Sequence, residues 1–274
     1  MKLTTIIPFF GHGTSIERAI GSVWDQTRRP DETIVINDGG PSEERALLDR
    51  LSERHGRRWL KIIHLDSNYG PGRARNVGWE HAQGEYVAFL DADDIWHPRK
   101  IELQLGWLER SPQAHGVCAD TLAIMPGAPF KELTAGLAPI LLRPIDVLWH
   151  NPVHTRTVVL RRDMALRFAE HKKNSEDYQL YLTAVLTGHR LFRSKTDLAF
   201  SFKDEFGEAG LSGNIWAAHL GHVDSLYSVW RQRLIPTTTY ALLRLFAQLK
   251  HYRRKFLVHV YAKHKTTGSG NGLS

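Results

Sequence analysis

Asp91 and Asp93 stand two residues apart in the stretch Gly84-Glu85-Tyr86-Val87-Ala88-Phe89-Leu90-Asp91-Ala92-Asp93-Asp94. On an extended backbone that spacing puts both carboxylates on one face. Two anions held so close repel each other unless a cation lies between them. Mg²⁺ typically enters a site through one or two carboxylates plus substrate phosphates. The chemistry this pattern predicts is therefore a metal-bridged diphosphate site. The same acids also suit a helix N-terminus, because aspartate caps helices and His97-Pro98 follows; the stretch alone leaves both readings open.

The elements around it point to a sheet edge. Residues 87–90 are a continuous apolar run, as expected of a strand covered on both faces of a parallel sheet. The acids then fall at the carboxyl end, where open α/β sheets bind ligands. Residues 3–10 read as a first strand that should stop at Pro8, since proline cannot donate to a ladder. Ile16, Ala19, Ile20, Val23 and Trp24 recur at helical spacing, and residues 33–36 form a second buried strand running into Asn37-Asp38-Gly39. This β-α-β unit, with its right-handed crossover, brings Asp38 to the same edge as Asp91. A helix over 42–55 and a strand over 59–65 follow. In Asn68-Tyr69-Gly70-Pro71-Gly72-Arg73-Ala74-Arg75-Asn76-Val77-Gly78 the glycines and proline make a turn, and a helix runs on to about residue 83. Arg73 and Arg75 stand at its head, where free N–H groups and a guanidinium suit a phosphate or a base edge; two solvated arginines are the plainer reading.

Beyond the acids the pattern predicts a helix over 98–109, a short strand at 116–119 and an irregular stretch over 125–145 that suits an acceptor loop. A strand over 153–160 should follow, then a helix opening at Arg161-Arg162-Asp163. Ser175 is placed to cap the next helix, with Glu176 and Asp177 favouring its positive end. A strand lies within 191–202. Residues 203–214 are polar and glycine-rich, and from 215 to 265 the pattern is only helical. In the last helix Leu242, Leu245, Phe246, Leu249, Tyr252 and Phe256 form one stripe, with Arg244, Lys250, Arg253, Arg254 and Lys255 around it. That suits either a membrane-surface helix over about 240–260 or a helix packed on the main domain. Residues 266–274 read as a disordered tail.

Composition narrows the partners. A net charge of +7 favours an anionic one: a nucleotide, a phospholipid surface or nucleic acid. No nucleic-acid motif is present, and the acids cluster where a phosphate backbone would have to lie, so nucleic acid is not expected. The single cysteine, Cys118, rules out an internal disulfide and suits a reducing compartment. No window reaches the ~20 apolar residues of a membrane span. The expectation is a cytoplasmic protein, or one lying on the inner membrane face without crossing it. His12, His150 and His154 match no metal-ligand spacing. A nucleotidyltransferase would need a basic glycine-rich loop after the first strand, which Phe9-Phe10-Gly11-His12-Gly13 does not supply.

Four signals coincide in order: Pro8, Asn37-Asp38-Gly39, the Gly70–Gly78 turn and helix, and Leu90-Asp91-Ala92-Asp93-Asp94. Together they closely resemble family 2 glycosyltransferases, inverting enzymes with the GT-A fold. The resemblance is specific to about residue 100, weaker to about 214 and absent beyond. It implies a mainly parallel α/β sheet flanked by helices over 1–214, with a nucleotide-binding half (1–100), an acceptor-binding half (101–214) and a C-terminal helical extension (215–265). It also implies a nucleotide-sugar donor, most often UDP-linked, a divalent Mn²⁺ or Mg²⁺, and hexosyl or N-acetylhexosaminyl transfer. Pro8, Phe9, Gly70, Asn76 and Ala92 would line the donor. Asp38 would contact the uracil, Arg73 the base or phosphate, Asp91 the ribose or metal-bound water, and Asp93 the metal, with Asp94 assisting. Glu176-Asp177 resembles the family's Glu-Asp pair, in which the aspartate is the catalytic base. Ser212 lies in a glycine loop placed to close over the bound substrates. Family habit together with the basic tail suggests a lipid-linked or polysaccharide glycan acceptor in cell-envelope assembly. A catalytically silent nucleotide-sugar binder is the first alternative, and a basic nucleic-acid-binding protein the second.

Overall fold

The computed structural model describes residues 1–268 apart from 12, 126, 134–135 and 203–214. Ser212 and the expected boundary near residue 214 therefore lie outside the described residues. The strands β1 (Leu3–Phe9), β2 (Glu32–Asn37), β3 (Leu60–His64) and β4 (Tyr86–Phe89) are parallel, in the order β3-β2-β1-β4. Ile6 of β1 is in register with Ile34 on one side and Phe89 on the other, and all three are fully buried. Covering both faces are α1 (Gly13–Trp24) and α2 (Ser42–His55) on one side and α3 (Pro71–His81) on the other. Ile16, Ala19, Ile20 and Val23 bury the inner stripe of α1 against Leu3, Ile7, Val35 and Leu48. α3 sits close on β1 because residue 78 is glycine; a Cβ there would lie 2.5 Å from Ile6 Cγ2.

The second half of the sheet, which has nine strands among the described residues, is mixed. β8 (Val159–Arg161) pairs antiparallel with β4, and β6 (Gly116–Ala123) antiparallel with β8. β9 (Leu191–Ser201) runs parallel to β6, and the two-residue strands β5 (Ile95–Trp96) and β7 (Ile140–Leu141) pair antiparallel with β9. The helices of this half are α4 (Lys100–Glu109), α5 (Pro144–Leu148) and α6 (Glu176–Leu186), followed by α7 (Ile215–Arg231) and α8 (Thr237–Gly268). α8 thus reaches three residues into the stretch expected to be disordered, and no described helix is long and apolar enough to cross a membrane. Leu226 and Val229 of α7 and Leu243 of α8 share one core cluster with Ile6, Phe89 and Tyr181.

Several local expectations fail for identifiable reasons. β1 runs one residue past Pro8, which stays in register with Ile36; the missing N–H removes a donor but not the strand conformation. The strand expected over 153–160 is a single 3₁₀ turn, Thr155–Thr157, and then β8. There the Thr157 hydroxyl donates to Ala119 O and accepts from Ala119 N, joining the turn to β6. No helix opens at Arg161-Arg162-Asp163. The 162–175 segment takes its backbone partners from α3 side chains instead: Trp79 Nε1 donates to Arg162 O, while the Asn76 amide donates to Phe168 O and accepts from Phe168 N.

His222 on α7 stacks on Tyr178 of α6 with ring centroids 4.6 Å apart. Burial, with Lys250, His219 and Lys172 nearby, pushes its pKa down to about 4. The unfolded chain binds the extra proton between that value and the ordinary 6.5, so this contact's contribution is lost as pH falls through that window. Urea denaturation should show stability falling between pH 6.5 and 4 by less in His222→Phe, which keeps a ring against Tyr178, than in the parent; identical pH profiles would remove His222 from the acid response.

Candidate active site

The carboxyl ends of β1, β2 and β4, the head of α3 and the head of α6 meet at one rim. The key side chain is Arg75, one turn into α3 and buried. Its Nη2 donates to Asp91 Oδ1 at 2.7 Å and its Nη1 to Glu176 Oε1 at 2.7 Å. The guanidinium carbon also lies 5.3 Å from the Phe168 ring centroid. Burial opposes the charge, but the two carboxylates outweigh it, and Arg75 is held protonated well above the ordinary arginine value.

The acids after β4 are not extended. Asp94 N donates to Asp91 O at 3.1 Å, closing a turn, so the spacing of Asp91 and Asp93 does not act through strand alternation. Asp94 is buried and pairs with Arg156 at 2.9 Å. Asp93 and Ala92 are half-buried in the turn.

Ser175, just before α6, holds φ at 60°, a left-handed conformation that costs of order 1–3 kcal/mol for a non-glycine residue. Its hydroxyl makes no capping bond to α6, so the capping expected of it does not occur. Asp177 Oδ2 accepts from Asn151 Nδ2 at 3.1 Å and Thr155 Oγ1 at 3.2 Å, while Oδ1 accepts from Tyr178 N at 2.7 Å. Glu176 and Asp177, adjacent in the chain, therefore face different partners.

A cavity of about 350 Å³ opens between these groups; Arg75, Asp91, Glu176 and Asp177 line it together with Asn151, His154, Arg156, Lys173 and Arg254. Burial keeps His154 below the usual histidine range, hence neutral at pH 7. The other described residues among those predicted are not in its lining. Asp38 is buried, with Oδ1 accepting from Tyr69 N at 2.9 Å and Oδ2 from Gly70 N at 2.8 Å. It is thus the anchor of the turn that launches α3. Burial raises its pKa against the pull of those two bonds. Phe9 is buried in the core and Pro8 half-buried beside it. Asn76 divides its amide among Phe168 and Glu170. Arg73 points outward to Glu170 at 3.1 Å.

Arg75, noted in the sequence only as a helix-head arginine beside Arg73, is the one that reaches the cavity. Helical spacing carried the signal: Arg75 shares a face with Gly72 and Trp79. A Cβ on Gly72 would meet Glu176 Cγ at 3.2 Å. His154, set aside in the sequence for want of ligand spacing, lines the cavity, as does Arg254, read only as one of the basic residues around the last helix's stripe; Asn151, Thr155, Arg156 and Lys173 gave no local signal.

Among the described residues no three His, Cys, Asp or Glu side chains form a metal cage. Asp91 and Asp93 are hard oxygen donors within one turn. That donor set fits a cation that takes one or two carboxylates and draws its other ligands from a diphosphate and water.

Arg75→Met should leave two carboxylates facing each other without their cation and cost about 3–5 kcal/mol in denaturant unfolding. Arg75→Lys should recover only part of this, because an ammonium cannot span both acids as the planar fork does. A loss below about 1 kcal/mol in Arg75→Met would show that the bridge is not a stabilising element.

The glycosyl transferase family 2 model matches residues 4–166. A glycosyltransferase of Nostoc sp., alr2836, is 37% identical over 37% of this chain, but the match spans only 31% of that protein. TuaG of Bacillus subtilis, described as a putative teichuronic acid biosynthesis glycosyltransferase, is 30% identical over 79% of this chain and 83% of its own length. Among solved structures, S. aureus TarS 1-349 in complex with UDP-GlcNAc superposes with a TM-score of 0.68 at 18% identity, covering 90% of this chain and 70% of that one. The mannosyltransferase PcManGT of Pyrobaculum calidifontis, in complex with GDP-Man and Mn²⁺, gives 0.67 at 17% identity, covering 99% and 76%. These two likenesses share the GT-A-like arrangement of a central sheet flanked by helices, and the family match with the TuaG alignment extends through the elements that carry Arg75 and Asp91. This chain belongs to glycosyl transferase family 2.

Proposed function

We propose that the chain transfers a hexose or N-acetylhexosamine from a nucleotide-sugar, UDP-linked by preference, to a hydroxyl of a lipid-linked or polysaccharide glycan, with inversion at the anomeric carbon. The observation that carries this reading is the convergence of Asp91 with the Glu176-Asp177 pair on one cavity, bridged by Arg75. The UDP-GlcNAc and GDP-Man complexes of the two structural neighbours and the teichuronic acid biosynthesis role ascribed to TuaG support the donor and acceptor classes.

In this reading the Asp38-anchored turn, with Pro8 and Phe9 beside it, borders the nucleotide, and the positive end of the α3 dipole favours its negative charge. Asp93 and Asp91 would hold a divalent Mn²⁺ or Mg²⁺, which when bound stabilises the negative charge that develops on the departing diphosphate. Glu176 is committed to Arg75, leaving Asp177 as the base. Asn151 and Thr155 orient its carboxylate. Asp177 takes the acceptor hydroxyl's proton as that oxygen bonds to the anomeric carbon, and the bond from that carbon to the diphosphate oxygen breaks on the opposite face. Base catalysis of this kind contributes ~10²–10⁴-fold in rate. A single displacement inverts the centre and needs no covalent enzyme intermediate. Asp94 acts through Arg156, which it holds at the cavity wall. The chain would work in the cytoplasm or at the inner membrane face.

A thermal-shift panel of UDP-, GDP- and dTDP-sugars, with and without Mn²⁺, should show the largest stabilisation for UDP-sugars with metal. Saturation at about a hundred times Kd corresponds to ~2.7 kcal/mol. Asp93→Ala should lose the metal-dependent part of the shift. Asp177→Asn should keep the shift while turnover falls ~10²–10⁴-fold. A silent binder would show the shift and no turnover in the parent; turnover unchanged in Asp177→Asn would reassign the base.

A further inference from the structure

We propose that the outward face of α8, continued by Trp149 and Ile145, is a docking surface for an anionic lipid bilayer. The helix has two opposite apolar faces. Leu243 and Ala247, 2% and 4% exposed, turn inward with His251 toward the core side and α7. Leu242, Leu245, Leu249 and Tyr252 are 59–62% exposed and recur every three or four residues, so they form a continuous ridge facing away from the fold. Phe246 flanks the ridge and meets Trp149 edge-on at 4.9 Å, and Ile145 on α5 adds a further exposed side chain.

Charge names the occupant. α8 has no Asp or Glu anywhere in its 32 residues. At 100° per residue Arg253 falls on the ridge side, Lys250 borders it on one flank, and Arg244 and Lys255 border it on the other. All four are exposed. A helix built only to pack on its own domain gains nothing from solvent-facing leucines or from omitting every acid. Leucines that enter the acyl boundary, rimmed by cations at phosphate depth, suit a negatively charged lipid surface. The next residue, Arg254, leaves this face and lines the cavity that holds Asp177. Docking through the ridge would hold the chain, and with it this cavity, at a surface that carries lipid-linked glycans. That last step rests on the transferase reading; the docking does not.

Flotation of the full chain with vesicles tests this. The protein should float with phosphatidylcholine vesicles containing about one-quarter phosphatidylglycerol, less with pure phosphatidylcholine, and less again at about 0.5 M salt. Leu245→Glu/Leu249→Glu should lower partition about a hundredfold. Lys250→Glu/Arg253→Glu should remove the preference for anionic vesicles. Both should melt as the parent does and transfer at the parent rate to a water-soluble acceptor, which separates failure here from failure of the transferase reading. A parent that floats with neither vesicle overturns the proposal. So does a Leu245/Leu249 variant that floats as well as the parent, or sedimentation showing that the ridge instead holds two copies of the chain together.

Discussion

A buried guanidinium held between two carboxylates is the interaction on which the site depends. Arg75 joins the head of α3 to the turn after β4 and to the start of α6, and its two acids lie 16 and 101 residues away along the chain. Arg75 and Glu176 are buried and Asp91 half-buried; taking charge out of water is expensive, and only close, well-oriented partners offset that cost. The arrangement is therefore nearly all-or-none. Both acids sit at 2.7 Å, and displacement of either would leave the buried guanidinium short of a partner. Much of the surrounding structure serves this geometry: Gly72 makes room for Glu176, Asn76 clasps the 162–175 segment, and Asp38 anchors the turn from which α3 starts.

The first half of the fold was legible because its signals are local. Apolar runs bounded by turns gave β1 to β4 and the intervening helices to within a few residues, and their order implied the common sheet edge. In the second half, backbone groups are satisfied by distant side chains. The 162–175 segment looks helical from residues 161–163, yet Trp79 and Asn76 hold its carbonyl and N–H groups in an irregular path. No window around residue 161 contains that information. The short strands β5 and β7 exist only because β9 offers them an edge.

The site divides along the same line. Asp91 and the Glu176-Asp177 pair were readable from charge, placement and family likeness, and they line one cavity. Arg73 and Arg75 looked equivalent as two basic residues at a helix head. Which one turns inward depends on helical phase against partners that a linear reading does not place. The polar residues at 151, 155 and 156 belong to a turn whose position depends on Thr157 bridging to β6. The apolar stripe of α8 was visible in the sequence, but whether it faced the core or solvent was decided only by Leu243 and Ala247 occupying the inner side.

The order of the two neighbouring acids at the start of α6 carries a restriction of its own. Consecutive helical side chains diverge by about 100°, so one acid reaches Arg75 under α3 and the next reaches Asn151 and Thr155 across the cavity. Exchanging the pair would set the shorter acid beneath Arg75, a methylene short of its partner, and push the longer one into space sized for a substrate hydroxyl. Glutamate followed by aspartate is thus a handed pair. Two chains identical in composition and net charge, differing only in which acid comes first, would differ in whether Arg75 reaches a carboxylate on α6.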